Sequence, residues 1–236
     1  MVAHTPPEEL LFDYAAGTLP EPLALFVVSH LSLAPESRRR VRDFEAVGGT
    51  MIDNLEPASL SSDALDKVMA RLDDATAVPA TPAGAQAAAI AGQRAGGART
   101  EEEGEADGQL PAPLRRYLGT DDLAALNWKE RSGQIAEYPL LSEHENSGYK
   151  TRLLRMAGGA AVPNHTHEGE EYTLVLEGGF SDSGSHYLPG DVSAADDHVT
   201  HRPVADPEGC TCLIVTTAPL RMTGPVGRFL NLFVDM

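Results

Sequence analysis

Apolar residues recur at helical spacing through roughly the first 75 positions of the chain, then give way to short alternating runs after position 110. Thr5 followed by Glu8 has the form of a capping box and predicts a helix over residues 6–16, closed by Gly17. Thr18 and Glu21 repeat the pattern, with Pro20 at a tolerated first-turn position. The second helix carries Leu23, Leu25, Phe26, Val27 and His30. It is apolar on more than one face, so it is expected at the centre of a small bundle. Pro35 opens a third helix, with Arg38, Arg39, Arg40 and Arg42 on one flank, Val41, Phe44 and Val47 on the other, and Gly48-Gly49 loosening it. Ser62 and Asp63 open a fourth, in which Leu65, Val68, Met69 and Leu72 recur at helical spacing.

Residues 76–109 are rich in Ala, Gly, Pro and acid and contain no aromatic residue. Such a segment buries too little surface to offset its ordering entropy, so a flexible linker is expected. From Leu110 the pattern is short strands and turns: Trp128, Ile135, Tyr138 and Leu140, then residues 153–156, 172–176 ending at Gly178-Gly179, and 210–217. Frequent Gly, Pro and Asp between short strands favour a β-sandwich or barrel. The expected organisation is α+β, with a helical part over 1–75, a linker over 76–109 and a β part over 110–236.

The formal net charge is −17, and the acid excess is spread along the chain. No segment offers the Lys and Arg that displace counterions from phosphates, so direct nucleic-acid binding is not expected. A basic protein partner suits this surface better. The opening MVAHTPPEELL lacks a basic n-region and an apolar h-region, and the longest apolar stretch, residues 22–28, is too short to span a bilayer. Cys210 and Cys212, two apart on an apolar run, read as reduced core residues. These features lead to the expectation of a cytoplasmic protein without a membrane partner.

The densest chemistry lies over residues 159–178. His165 and His167 are two apart, which puts both imidazoles on one face of an extended segment, and Glu171 follows at the same parity where an apolar strand begins. Downstream, Pro189-Gly190-Asp191 marks a tight turn, and a paired strand could bring His201 back to the same place, with His198 as a competitor. Three imidazoles and a carboxylate suit zinc, iron, manganese, nickel or copper and exclude a dedicated calcium site. Four protein ligands complete a tetrahedral zinc site; a six-coordinate metal would keep two open positions. His4, His144 and His186 are left without a role.

Residues 159–178 resemble the first cupin motif, G-x5-H-x-H-x3-E-x6-G, at each fixed position, and the stretch from Pro189 to His201 resembles the second. The β part is therefore expected to be a cupin (double-stranded β-helix, or jelly-roll) barrel. The whole chain resembles the ChrR-type anti-sigma factors, which join a helical anti-sigma domain to a cupin. The resemblance rests on the opening from His4 to Leu19, the second helix ending at His30, the cupin ligands, His201-Arg-Pro-Val, Thr211-Cys-Leu and the tail from Ala218. It favours His201 over His198 and implies one divalent metal held by His165, His167, Glu171 and His201, with zinc first and iron, manganese, nickel or copper also compatible. It further implies a non-enzymatic regulator that sequesters an alternative, extracytoplasmic-function type sigma factor until a signal such as singlet oxygen or hydroperoxide reaches the cupin. In the family the helical domain also binds zinc, through H-x3-C-x2-C and an earlier histidine. Here His30 is followed by Ala34 and Ser37 at the cysteine positions, so that domain is expected to fold without metal. Leu10, Leu11, Tyr14, Leu25 and Phe26 exceed what a small helical unit buries and are the expected sigma-binding face. Two competing readings are a cupin metalloenzyme such as a dioxygenase with a vestigial helical domain, served by Arg155, Glu170 and Tyr172, and a cupin that only senses a small molecule.

Overall fold

A computed structural model describes residues 2–73, 110–140, 148–218 and 220–222. The expected linker over 76–109 lies wholly outside the described residues, as does His144. The chain packs as two compact units, Met1–Glu45 with Gly104–Met236, and Ala46–Glu103.

In the first unit, α1 spans Glu8–Ala16 and ends at Gly17, whose φ of 75° is the left-handed conformation that closes a helix. The capping box does not form. Pro7 is the N-cap and no side chain caps it, because a residue before proline is pushed out of the helical region and Pro6 stands before Pro7. Helix α2 spans Glu21–Leu33, again with a proline, Pro20, at its N-cap. The Thr18 hydroxyl instead donates back to the Asp13 carbonyl at 3.1 Å. Helix α3 starts at Pro35, as the sequence predicts, and runs to Asp53 straight through Gly48-Gly49. Arg38 donates to the last-turn carbonyls of α2, Leu31 at 2.5 Å and Ser32 at 3.1 Å.

The β part holds β1 (Lys129–Ser132), β2 (Ile135–Pro139), β3 (Lys150–Met156), β4 (His165–His167), β5 (Glu171–Asp182), β6 (Ser185–Tyr187), β7 (Val192–Ala195), β8 (Val204–Thr216) and β9 (Leu220–Met222), after a short helix α5 (Ala112–Leu118). All pairings are antiparallel. Seven strands form one sheet in the order β1-β2-β3-β8-β5-β6 with β7 also on β5, while β4 and β9 make a separate ribbon. Single bridges, Ala161 to Val204 and His165 to His201, tie the ribbon side to the sheet, and the sheet itself does not close.

Strand alternation gives this sheet two buried faces. On one, Leu153, Tyr172, Leu174, Leu213 and Val215 share a core with Leu10, Leu11, Leu25 and Phe26 of the helices and Leu114 of α5. The Phe26 ring meets Tyr172 with centroids 6.0 Å apart. On the other, Met156, Val175, Phe180, Cys212 and Ile214 make a second core. Helix α2 is therefore central, as its all-round apolarity requires, but it packs against β-sheet as well as against helices.

Three contacts clasp the Pro189–Asp191 turn to the segment that precedes α1. The Ala3 and His4 amides donate to one Asp191 carboxylate oxygen at 2.6 and 2.9 Å, and the Val192 amide donates to the His4 carbonyl at 3.0 Å. Gly190 has φ +92°, and a Cβ there would stand 2.9 Å from Val2 Cγ2 and 3.3 Å from Leu33 Cβ. Fully buried His30 on α2 reaches the Gly190 carbonyl with Nδ1 at 2.9 Å and the Ser37 hydroxyl with Nε2 at 2.8 Å. A carbonyl only accepts, so Nδ1 carries the proton and Nε2 accepts from Ser37.

In the second unit, α4 (Ala64–Asp73) begins directly after Asp63, whose carboxylate pairs with Lys67 at 2.9 Å. Among the described residues no single helix is long and apolar enough to cross a membrane.

Burial lowers the His30 pKa from 6.5 to about 4, outweighing the raising effects of the Gly190 carbonyl and Asp191. The depressed base is neutral in the fold and takes up its proton more readily when unfolded. Its contribution is full above pH 6.5 and is lost as pH falls toward 4, on the order of 3 kcal/mol in total. Denaturant unfolding at pH 7.5, 6 and 5 is expected to show a shallower acid loss for His30→Gln than for the unaltered chain; parallel pH profiles would contradict the assignment.

Candidate metal centre

Strand β4 is only three residues long, and it places His165 and His167 on one side with Thr166 between them on the other. The Thr166 hydroxyl donates to the Val199 carbonyl at 2.9 Å, which fixes that alternation against the returning loop. His201 then lies directly across from His165: the two residues exchange backbone hydrogen bonds at 3.1 and 3.0 Å. Glu171 enters from the first position of β5. All four side chains are buried, and their candidate donor atoms lie within 4.8 Å of one another. His198 stays outside, with its ring largely exposed beside Asp197.

The tautomers follow from the outer hydrogen bonds. His165 Nδ1 lies 2.9 Å from the Pro163 carbonyl, so it carries the proton and leaves Nε2 bare. His201 Nδ1 lies 2.5 Å from an Asp182 carboxylate oxygen, with the same result. His167 Nε2 stands 2.9 Å from His201 Nε2 and 3.9 Å from a Glu171 oxygen, and its Nδ1 is buried with no hydrogen-bond partner. Two imidazole nitrogens held that close in a buried site either share one proton or share a cation.

Electrostatics favour the cation. Burial first, then the neighbouring imidazoles, lower His165 to about 4 and His167 to about 3, so both rings are neutral donors at ordinary pH. Burial pushes Glu171 up, and Arg152, 3.9 Å away, only partly offsets this. A buried carboxylate among neutral imidazoles is costly unless a positive charge balances it. Ligand atoms bound at 2.0–2.2 Å to one ion stand about 3–3.5 Å apart. The 2.9 Å spacing of the two Nε2 atoms is close to that range, and the Glu171 oxygen at 3.9 Å stands slightly wider. The four residues thus fit a metal ion.

Other expected site residues land elsewhere. Leu10, Leu11, Tyr14, Leu25 and Phe26 are all buried, at 7% exposure or less, so they do not form an exposed docking face. The helix-covered face of the sheet absorbs the apolar surplus that a free-standing helical unit could not bury. Large exposed apolar residues instead include Val47 and Met51 on α3 and Leu65, Val68, Met69 and Leu72 on α4, each at least half exposed. Arg155 stacks on Trp128 at 4.1 Å and Tyr172 packs against Phe26, both on the helix-covered face, while Glu170 is exposed; none of the three joins the quartet. Cys210 and Cys212 are buried free thiols with sulfurs 3.1 Å apart. His4 stacks on Tyr187 at 4.6 Å and His186 pairs with Asp206 at 2.8 Å.

Comparison with known proteins agrees with this geometry. Residues 120–220 match the family described as the ChrR cupin-like domain. The chain is 36% identical over 233 residues to the anti-sigma-E factor ChrR of Cereibacter sphaeroides, covering 98% of both chains. A chain in the crystal structure of Rhodobacter sphaeroides SigE in complex with the anti-sigma ChrR superposes with a TM-score of 0.70 at 35% identity, covering 92% of this chain and 99% of that one. Similarity of this extent over nearly the whole length, helices and cupin together, makes the chain a member of the ChrR family of anti-sigma factors.

Proposed function

We propose that this protein captures an alternative sigma factor of the extracytoplasmic-function type in the cytoplasm, and that its cupin half binds one zinc ion and senses an oxidant such as singlet oxygen or a hydroperoxide. The observation that carries the reading is the match along nearly the full chain to a protein solved in complex with a sigma factor. The chain acts as a regulator rather than a catalyst, and it contacts its protein partner rather than nucleic acid.

Exposed apolar residues support this reading and move the partner face. Leu65, Val68, Met69 and Leu72 recur on one side of α4, and Val47 and Met51 are one turn apart on α3. Apolar helix faces left open in this way suit a protein partner, and the net charge of −17 favours a basic one. Zinc suits the cupin centre because three neutral imidazoles and one carboxylate meet its tetrahedral demand without an added ligand. Bound there, zinc would neutralise Glu171 and hold β4, β5 and the His201 segment together. Ligand loss would be felt on the helices through β5, where metal-facing Glu171 is followed by Tyr172 packed on Phe26.

Two measurements test this. The double substitution Val68→Glu with Leu72→Glu is expected to leave the fold intact and to weaken capture of a co-expressed sigma factor by about 30-fold or more, as loss of an apolar hot spot does. Full repression of sigma-dependent transcription by the folded variant would sink the proposed face. Metal analysis of the purified full chain should give one equivalent of zinc, falling well below one in His167→Ala. Unchanged occupancy in that variant would remove His167 from the ligand set.

A further inference from the structure

Asp182 stands outside the four-residue ligand set, yet it is buried directly behind one of its members, its Oδ2 2.5 Å from His201 Nδ1. We propose that Asp182 is the positioning carboxylate of the metal centre, holding His201 in the one tautomer and ring orientation that presents Nε2 to a divalent cation. The proposal rests on the reading that the centre binds a metal.

The backbone shows how Asp182 comes to be there. Glu171, Thr173 and Val175 share the metal-side face of β5, at odd positions, whereas Asp182 is even and on a regular strand would point to the helix side. The register with β8 slips between Val175 and Glu177, and slips again between Gly178 and Phe180. After these irregularities Phe180 joins Val175 in the metal-side core, and Asp182 follows two residues later on the same face. A β-bulge re-aims the rest of its strand in this way. The strand that supplies the carboxylate ligand at its start therefore supplies a second carboxylate at its end.

Asp182 is itself held in place. Its Oδ1 lies 3.2 Å from the Arg202 backbone amide, which donates to it, and 3.2 Å from the Ser183 hydroxyl. One carboxylate thus grips the ring of His201 and the peptide that follows it. With Nδ1–H committed to Oδ2, the only lone pair of the neutral His201 ring is on Nε2, which is the atom 2.9 Å from His167 Nε2. His165 gets the equivalent restraint from a backbone carbonyl, so only His201 has its orientation set by a side chain that substitution can remove. A carboxylate behind a ligating imidazole also raises its basicity, and loss of such a partner commonly weakens metal binding 10–100-fold.

The test uses the full chain and zinc alone, in competition with a chromophoric chelator. Asp182→Asn keeps the size and removes the charge. Zinc affinity should fall 10–100-fold while circular dichroism and the unfolding midpoint of the metal-free protein stay close to those of the unaltered chain. Equal affinity in the folded variant overturns the role of Asp182 and leaves the metal centre standing. Absence of zinc binding by the unaltered chain overturns both together. Long-range proton–nitrogen spectra of the zinc-loaded unaltered protein supply a readout that does not need the variant to fold. The His201 ring should carry its proton on Nδ1, with a strongly downfield signal; a proton on Nε2 rules the proposal out.

Discussion

The antiparallel pairing of β5 with β8 is the constraint from which the rest follows. Residues 171–176 of β5 and 209–216 of β8 are buried on both faces, so each residue there is committed to one of two interiors. Tyr172, Leu174, Leu213 and Val215 serve the helix-covered core, and Val175, Cys212 and Ile214 serve the core beside the metal ligands. Neither interior can be repacked without moving the backbone that serves the other, because protein cores are close to crystal density and pass small displacements on. A displacement on one face of these two strands therefore reaches the other face without a separate relay.

Much of this was legible in the sequence because the signals were local. The parity of His165, His167 and Glu171 puts three candidate ligands on one face with no knowledge of the fold. A helix forms at each of the four predicted places, and α1 and α2 do so without the capping boxes that mark them in the sequence. What was lost were features set by pairing over distance. The capping boxes failed because Pro6 and Pro7, and then Pro20, had already set the backbone before each helix. The apolar residues of α1 and α2 were visible, but not the sheet face that receives them. Asp182 was missed because strict alternation sends it to the wrong side, and register slips after Val175 and Gly178 leave no simple mark beyond the Gly178-Gly179 pair.

His30 shows how a position can keep its residue and change its chemistry. At the positions where the family resemblance implies cysteines, this chain has Ala34 and Ser37, both buried. The imidazole spans α2, α3 and the Gly190 carbonyl with two hydrogen bonds. A metal ion would draw donors from the helices alone; the hydrogen-bonded arrangement draws in the β half as well. The helices are thereby joined to the turn that precedes β7, a strand paired with the ligand-bearing start of β5.

The clasp around Gly190 also limits how this architecture can be recombined. The amides of Ala3 and His4, the ring of His30 and the space beside Leu33 are all fitted to one turn, 160 residues beyond His30 and 188 beyond Ala3. Cutting the chain after the fourth helix would leave α2 without its sheet and the sheet without its cover, so each fragment would be a sticky, chaperone-dependent species. Swapping cupins between relatives would succeed only where the donor brings a glycine and an aspartate at those two turn positions, which makes the lineage of the helices inseparable from that of the β half.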